Sequence, residues 1–356
     1  MLIYILNLVF VFCMSYMARM NYKSEKKIGI PKKPNLLFVT LLLIPMILIG
    51  GLRYQVGTDF LNYTLMYNSY SNQSISEILL GEDLGFGLIN WICSKIVYNP
   101  QLMFFVCVFL TTLIIVTTIR KYSNIFEISM FLYISTMAYY SQFNIVRQCL
   151  ASAIIFWGIK YIFNDNKLKY FAIVIFASMF HSTAIVMIPV YYLVKIEPWS
   201  KKMLLIILGA ISIMVLFDPF LNVLNIVLQG TKYQVYTIIK DVDNGVNFIR
   251  VIVLAIPIIL SYFYKNKLND NEVKIYINYS IFYFMIMLIS VKATYFARIA
   301  GYFNLYNILL FPKIILAEKS KLKYLIYVSI LICYTIYMIL LLPVESNLLP
   351  YQTIFK

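Results

Sequence analysis

Runs of apolar residues long enough to cross a bilayer recur from one end of this chain to the other, and that pattern leaves few folds open. LIYILNLVFVFCMSYMA (2–18), LLFVTLLLIPMILIGGL (36–52) and QLMFFVCVFLTTLIIVTTI (101–119) are the first three. A hydrocarbon core about 30 Å thick is crossed by roughly 20 helical residues. Only helices and closed barrels satisfy their backbone within it, and unbroken apolar runs do not show the alternation of barrel strands. Further runs fall at 125–140, 148–163, 168–180, 182–194, 203–217, 248–264, 275–291, 295–312 and 324–342. The expectation is an all-α, polytopic integral membrane protein with about 11–12 transmembrane or re-entrant helices, forming one transmembrane domain over 1–356. The first run lacks a basic leader and a small-residue cleavage site, so it reads as a retained span.

Composition agrees, with 62% hydrophobic and 13% charged residues. The net charge of +15 would suit a nucleic-acid binder if it lay on a soluble surface, but the lysines sit in short connections between spans. No nucleic-acid partner is expected. Cys13, Cys93, Cys107, Cys149 and Cys333 are scattered and show no metal-ligand spacing, so no metal or cofactor is expected.

The run 168–194 reads either as one tilted helix or as two halves broken near His181. Two halves that return to their starting side put 21 of the 30 basic residues in one set of connections, the cytoplasmic side by the positive-inside rule. The long connections 53–100 and 218–247 then lie outside. Residue type sharpens the asymmetry, because 19 of the 21 inner basic residues are lysine. Four of the nine outer ones are arginine: Arg53, Arg147, Arg250 and Arg298. Each lies at or just beyond the outer end of a run. Interfacial snorkelling is one reading. The other is a ring of planar, bidentate donors suited to a lipid-linked phosphate or pyrophosphate.

In RYQVGTDFLNY (53–63), Gly57 permits a tight turn, and Asp59 and Tyr63 share one face of a short interfacial helix. Arg53 and Asp59 form either a self-satisfied ion pair that pins the loop or a phosphate ligand and a proton acceptor. Glu82 and Asp83 in the same connection read as a solvated helix start or, as the lesser alternative, as ligands of acceptor hydroxyls. Asn144, Arg147 and Gln148 have i, i+3, i+4 spacing at a helix mouth, as helix-end anchors or as substrate ligands. Tyr295, Arg298 and Tyr302, at i, i+3, i+7, line one face near the start of a span, suited to holding phosphate or stacking a sugar ring or else part of an aromatic belt. His181 is the lone histidine, either a packing residue or a group at a broken helix that binds phosphate or moves a proton.

The order R-x-x-x-G-T-D (53–59), N-x-x-R-Q-x-x-A (144–151), F-H-S-T-A (180–184), R-I-A-G-Y-F (298–303) and L-L-P-Y (348–351) resembles the EpsG family of Wzy-type polysaccharide polymerases over nearly the whole chain. The resemblance implies a multi-pass enzyme of the bacterial cytoplasmic membrane. Its implied fold is similar to that of lipid-donor (GT-C-like) glycosyltransferases, and its substrates are undecaprenyl-pyrophosphate-linked oligosaccharide repeats. Carried onto this chain, it marks Arg53, Gly57, Asp59, Arg147, His181 and Arg298 as site positions; Arg250 rests on topology alone. The expected chemistry is glycosyl transfer at the outer face. Arg147 and Arg298 hold pyrophosphate, Arg53 supports them, Asp59 is the preferred base and His181 the alternative. Expected partners are membrane lipids and a chain-length regulator and flippase of the same pathway. Rival readings are an O-antigen ligase, a lipid-linked oligosaccharide flippase or transporter, and a membrane O-acetyltransferase.

Overall fold

The computed structural model describes residues 1–21, 33–231, 234, 245–344 and 347–355. Of the basic residues used to assign topology, Lys23, Lys26, Lys27, Lys32, Lys232, Lys240 and Lys356 lie outside the described residues, as does most of 232–244 in the second external connection. Among the described residues the regular elements are all helical. Five helices are long and apolar enough to cross a membrane: Leu2–Met20, Gln101–Tyr122, Val146–Phe163, Asn271–Ser290 and Leu322–Leu341. A sixth results if Lys201–Val215 and Phe217–Val227, bent by 95°, count as one broken span. The chain is therefore a multi-pass membrane protein, with shorter apolar helices in several of the remaining predicted runs.

The helices sort into two compact units, 1–188 with 311–356, and 189–310. In the first, α1 (Leu2–Met20) and α2 (Leu36–Gly51) pack as neighbours, and α6 (Gln101–Tyr122) lies on α2. The approach of α6 is set by glycine: a Cβ on Gly50 would stand 2.7 Å from Val108 Cγ1, and one on Gly51 2.6 Å from Phe105 Cδ2. Small residues at such crossings let helix backbones come close where lipid offers no hydrophobic drive. α8 (Val146–Trp157) packs on the other side of α6, and α7 (Phe126–Ser135) packs on α1. All ten residues of α7 are buried, Glu127 included. That carboxylate is matched by Arg19 Nε at 2.6 Å and by the Tyr327 hydroxyl at 3.3 Å, as a buried charge requires.

The connection 53–100 is itself folded. After the turn at Gly57 come α3 (Phe60–Ser71), α4 (Ile75–Leu80) and α5 (Leu84–Ile96). Ser74 and Glu77 form a capping box that starts α4. Phe60, Tyr63, Tyr67 and Phe86 form a buried aromatic core with Met103, Phe104 and Cys107 of α6 and Val146 of α8. The expected single interfacial helix is thus three helices seated on the span bundle.

Several predicted spans are broken. The run 125–140 is helical only to Ser135, and Met137 has φ +66°, so it ends as a half-length helix followed by a 3₁₀ turn over Tyr140–Phe143. The run 168–194 divides: α10 (Lys167–Ser178) ends before His181, which is extended, and a 3₁₀ turn, Ser182–Val186, follows. The Tyr170 hydroxyl in the first turn of α10 donates to Met187 O at 3.3 Å. The run is therefore broken near His181, and Met187 beyond the break lies back against the first turn of α10.

In the second unit, helices Lys201–Val215, Phe248–Phe263 and Tyr295–Ala300 pack on helix Asn271–Ser290. Asn278 of that helix donates to Val194 O and Ile196 O at 2.8 and 2.6 Å, and Tyr279 stacks on Tyr306 at 3.5 Å. The predicted span 295–312 is interrupted at 301–303. Tyr302 lies in the interruption and is 1% exposed, so it does not share a helix face with Tyr295 and Arg298. Arg298 is exposed, and Arg250 is half-buried in the first turn of helix Phe248–Phe263.

Candidate functional site

Three sequence-distant segments of the first unit meet around Asp83. This residue sits between α4 and α5 in the left-handed region, φ +52° and ψ +43°, a conformation that Asp tolerates better than most side chains. Its carboxylate is 6% exposed. Oδ2 accepts from Arg147 Nη1 at 2.6 Å, Oδ1 accepts from the Ser182 backbone N–H at 2.8 Å, and His181 Nδ1 stands 4.0 Å from Oδ2. Burial alone would raise the Asp83 pKa; the His181 imidazole, the Arg147 guanidinium and the Ser182 N–H together outweigh it and hold the carboxyl below its ordinary value.

Arg147 is the second residue of α8, an unfavourable place for a cation beside the positive end of the helix dipole. Asp83 offsets that cost. The guanidinium lies 5.7 Å from the Phe86 ring centre and 5.9 Å from that of Tyr63. Burial pushes the Tyr63 hydroxyl up to about 12 against the pull of Arg147. The side chains of Arg147 and His181 remain 27% and 19% exposed above the carboxylate that joins them. Arg147 Nε and His181 Nδ1 have no hydrogen-bond partner among the described residues. The arrangement is a buried carboxylate under two partly accessible nitrogen groups, one a fixed cation and the other able to take up a proton.

The GTD turn lies nearby through its own contacts. Gly57 has φ +99°, and a Cβ there would sit 2.5 Å from Phe143 O. Asn144 Oδ1 accepts from the Thr58 backbone N–H at 2.7 Å and from the Thr58 hydroxyl at 2.9 Å. Asn144 is thus a clamp on the turn and precedes α8, so it does not line a helix face with Arg147; Gln148 is 2% exposed. Asp59 is half-buried at the start of α3, and Tyr63 N–H donates to its backbone O at 3.0 Å.

Arg53 does not lie on an exposed rim. It is 0% exposed, with Nη1 donating to Gly50 O at 2.5 Å and Nη2 to Phe143 O at 3.3 Å. Its guanidinium stands 4.7 Å from the ring centres of both Phe104 and Phe143. Among the described residues no ion pair joins it to Asp59. One carbonyl at the end of α2, one from the 3₁₀ turn Tyr140–Phe143 and two aromatic faces stand where phosphate was expected. The 348–351 motif belongs to the same construction: Tyr54 N–H donates to Gln352 O at 2.9 Å, Ile354 N–H to Leu52 O at 3.1 Å, and Gly57 N–H to Asn347 O at 3.0 Å. A C-terminal strap therefore holds the 52–57 segment in place.

Sequence reasoning singled out Arg147, His181 and Tyr63 but favoured a solvated Asp83, with acceptor binding as its lesser alternative, and did not pair it with Arg147. The available signal was Asp83 followed by Gly85 and Gly87, both of which face close neighbours: a Cβ on Gly85 would lie 2.9 Å from Phe180 Cε1, next to His181. The EpsG family model matches residues 36–353, a stretch that takes in all five motifs. No curated protein and no solved structure matches the chain.

Proposed function

The chain belongs to the EpsG family, a Wzy-like family of polysaccharide polymerases, and from that premise we propose that it joins undecaprenyl-pyrophosphate-linked oligosaccharide repeats by glycosyl transfer. The observation that carries this reading is the buried Asp83 carboxylate bonded to Arg147 with His181 Nδ1 4.0 Å away, the side chains of Arg147 and His181 both remaining partly accessible. Arg147 at the N-terminal turn of α8 combines a guanidinium with helix N–H groups, a combination that attracts phosphate oxygens. A hydroxyl of the incoming repeat attacks the anomeric carbon of the growing chain. The bond from that carbon to the pyrophosphate oxygen breaks, and the departing pyrophosphate keeps the electron pair beside Arg147. His181 takes the hydroxyl proton, with Asp83 below it setting ring orientation. A carboxylate held below its usual pKa is a weak base, which favours Asp83 as the orienting group. Asp59, in the turn preceding Tyr63, is the second base to test.

The reading rests on the first unit alone. It places the site on the extracytoplasmic side of a bacterial inner membrane, where a flippase delivers repeats and a chain-length regulator acts on the product. Purified protein incubated with a lipid-linked repeat gives a ladder of products if it polymerises. Arg147→Ala keeps the protein folded and removes the ladder, whereas unchanged substrate with the wild-type protein would favour transport. A normal ladder from Arg147→Ala would overturn the assignment.

A further inference from the structure

Beside the Arg147 cluster lies a cavity of about 490 Å³, within the usual range of ligand clefts. Ser69, Tyr70 and Gln73 of α3, Glu77 of α4, and Glu82 line it together with Met66 and Gly81. The lining includes two carboxylates and no lysine or arginine. Such a surface repels phosphate, whereas carboxylates and an amide suit hydroxyl and amino hydrogens, and a tyrosine ring offers an apolar face.

The cavity and the cation share a wall. Tyr70 packs edge-on to Phe86 at 6.3 Å, and Phe86 lies 5.7 Å from the Arg147 guanidinium. Gly87 leaves room for the Tyr70 ring, since a Cβ there would stand 3.1 Å from Tyr70 Cε1. Glu82 is the chain neighbour of Asp83, so the two sites join at adjacent residues. The outer faces of α3 and α4 expose Leu61, Leu65, Leu79 and Leu80, an apolar surface suited to the bilayer from which a lipid-linked glycan emerges.

We propose that this cavity is the acceptor subsite, binding the sugar end of the incoming repeat, and that it selects neutral or amino-bearing sugars over uronic or phosphorylated ones. The proposal rests on the polymerase reading, since it takes Arg147 as the pyrophosphate site. In the full-length protein in nanodiscs, two probes separate the two claims: farnesyl pyrophosphate, and the lipid-free repeat oligosaccharide released from the polymer of the cells that carry this chain. Wild-type protein is expected to bind both. Gln73→Ala and Glu82→Gln each weaken oligosaccharide binding by about fivefold, the scale of one lost hydrogen bond, and leave farnesyl pyrophosphate binding unchanged. Arg147→Ala does the reverse. Wild-type oligosaccharide affinity in both cavity variants, or no oligosaccharide binding by the wild type, overturns the subsite while retained pyrophosphate binding leaves the polymerase reading standing. A uronic-acid oligosaccharide of matched length that binds as tightly as a neutral one overturns the selectivity. Failure of the wild type to bind farnesyl pyrophosphate instead counts against the polymerase reading itself.

Discussion

Replacing Asp83 tests the centre of the site most directly. Its carboxylate meets Arg147 at 2.6 Å with 6% and 27% of the two side chains exposed. Unit charges about 4 Å apart attract by about 4 kcal/mol at an effective dielectric of 20, before the cost of desolvation. The partial exposure of Arg147 reduces the net coupling to about 2–3 kcal/mol, well above the ~0–1 kcal/mol of a surface pair. Asp83→Asn keeps an acceptor for the Ser182 N–H and removes only the charge. Asp83→Ala also strands that N–H, for a further ~1–3 kcal/mol. A double-mutant cycle of Asp83→Asn with Arg147→Met, read by SDS titration in mixed micelles, is expected to return a coupling of about 2–3 kcal/mol. In the ladder assay, Asp83→Asn leaves Arg147 available but His181 unoriented. The expected fall is about 100-fold, equivalent to ~2.7 kcal/mol in the barrier. A coupling below about 0.5 kcal/mol would deny the ion pair, and a wild-type ladder rate from Asp83→Asn would refute the orienting role.

Four further outcomes follow from other parts of the first unit. Arg53→Ala and Arg53→Lys both lose monodisperse protein on size-exclusion chromatography, because a lysine cannot fork to Gly50 O and Phe143 O together; a folded Arg53→Ala protein deficient only in polymerisation would return Arg53 to the ligand site. Gly57→Ala, at φ +99° with Phe143 O in the way, lowers stability by about 1–3 kcal/mol by the same micelle titration, and a neutral result would disprove the strain. Deleting 347–356 removes the strap and lowers the melting temperature by several degrees, and an unchanged melt would show that 52–57 holds itself. The Asp83 carboxyl titrates below its unfolded value of about 3.9, so its stabilisation is complete above that value and lost as pH falls through the folded pKa. The stability difference between wild type and Asp83→Asn therefore shrinks as pH falls below about 4, and a difference that grew on acidification through that range would reverse the sign.

The spans that could be read from sequence are those whose length alone decides the matter. Gln101–Tyr122 and Leu322–Leu341 need no partner to identify them. The interrupted ones were less legible, since hydropathy is blind to a break that leaves the side chains apolar, as at 301–303. Spacing failed at Asn144 and Tyr302 because helical periodicity was assumed across residues that the backbone leaves outside a helix. Asp83 was the hardest to read: its contacts to Arg147 and Ser182 span 64 and 99 residues, and no local pattern encodes them.

Arg53 and Arg147 show why an arginine at the end of a span is ambiguous until its surroundings are known. A guanidinium stripped of water must recover the lost solvation. Arg53 recovers part of it from two carbonyls and two aromatic faces, its buried Nε having no partner among the described residues, and it is fully enclosed, so no donor faces outward for an anion. Arg147 recovers it from one carboxylate and stays partly exposed. The charge of Asp83 cancels that of Arg147, yet the positive end of α8 adds about half an elementary charge at the same place. The site as a whole is positive, as the proposed pyrophosphate would require, while the built-in carboxylate keeps Arg147 from being an unpaired cation. In the proposed transfer, a proton taken up by His181 would add a further positive charge as the leaving group develops its negative one. On that proposal the carboxylate that lowers resting affinity would also let the site gain charge during the reaction, a gain that favours the transition state over the bound substrate.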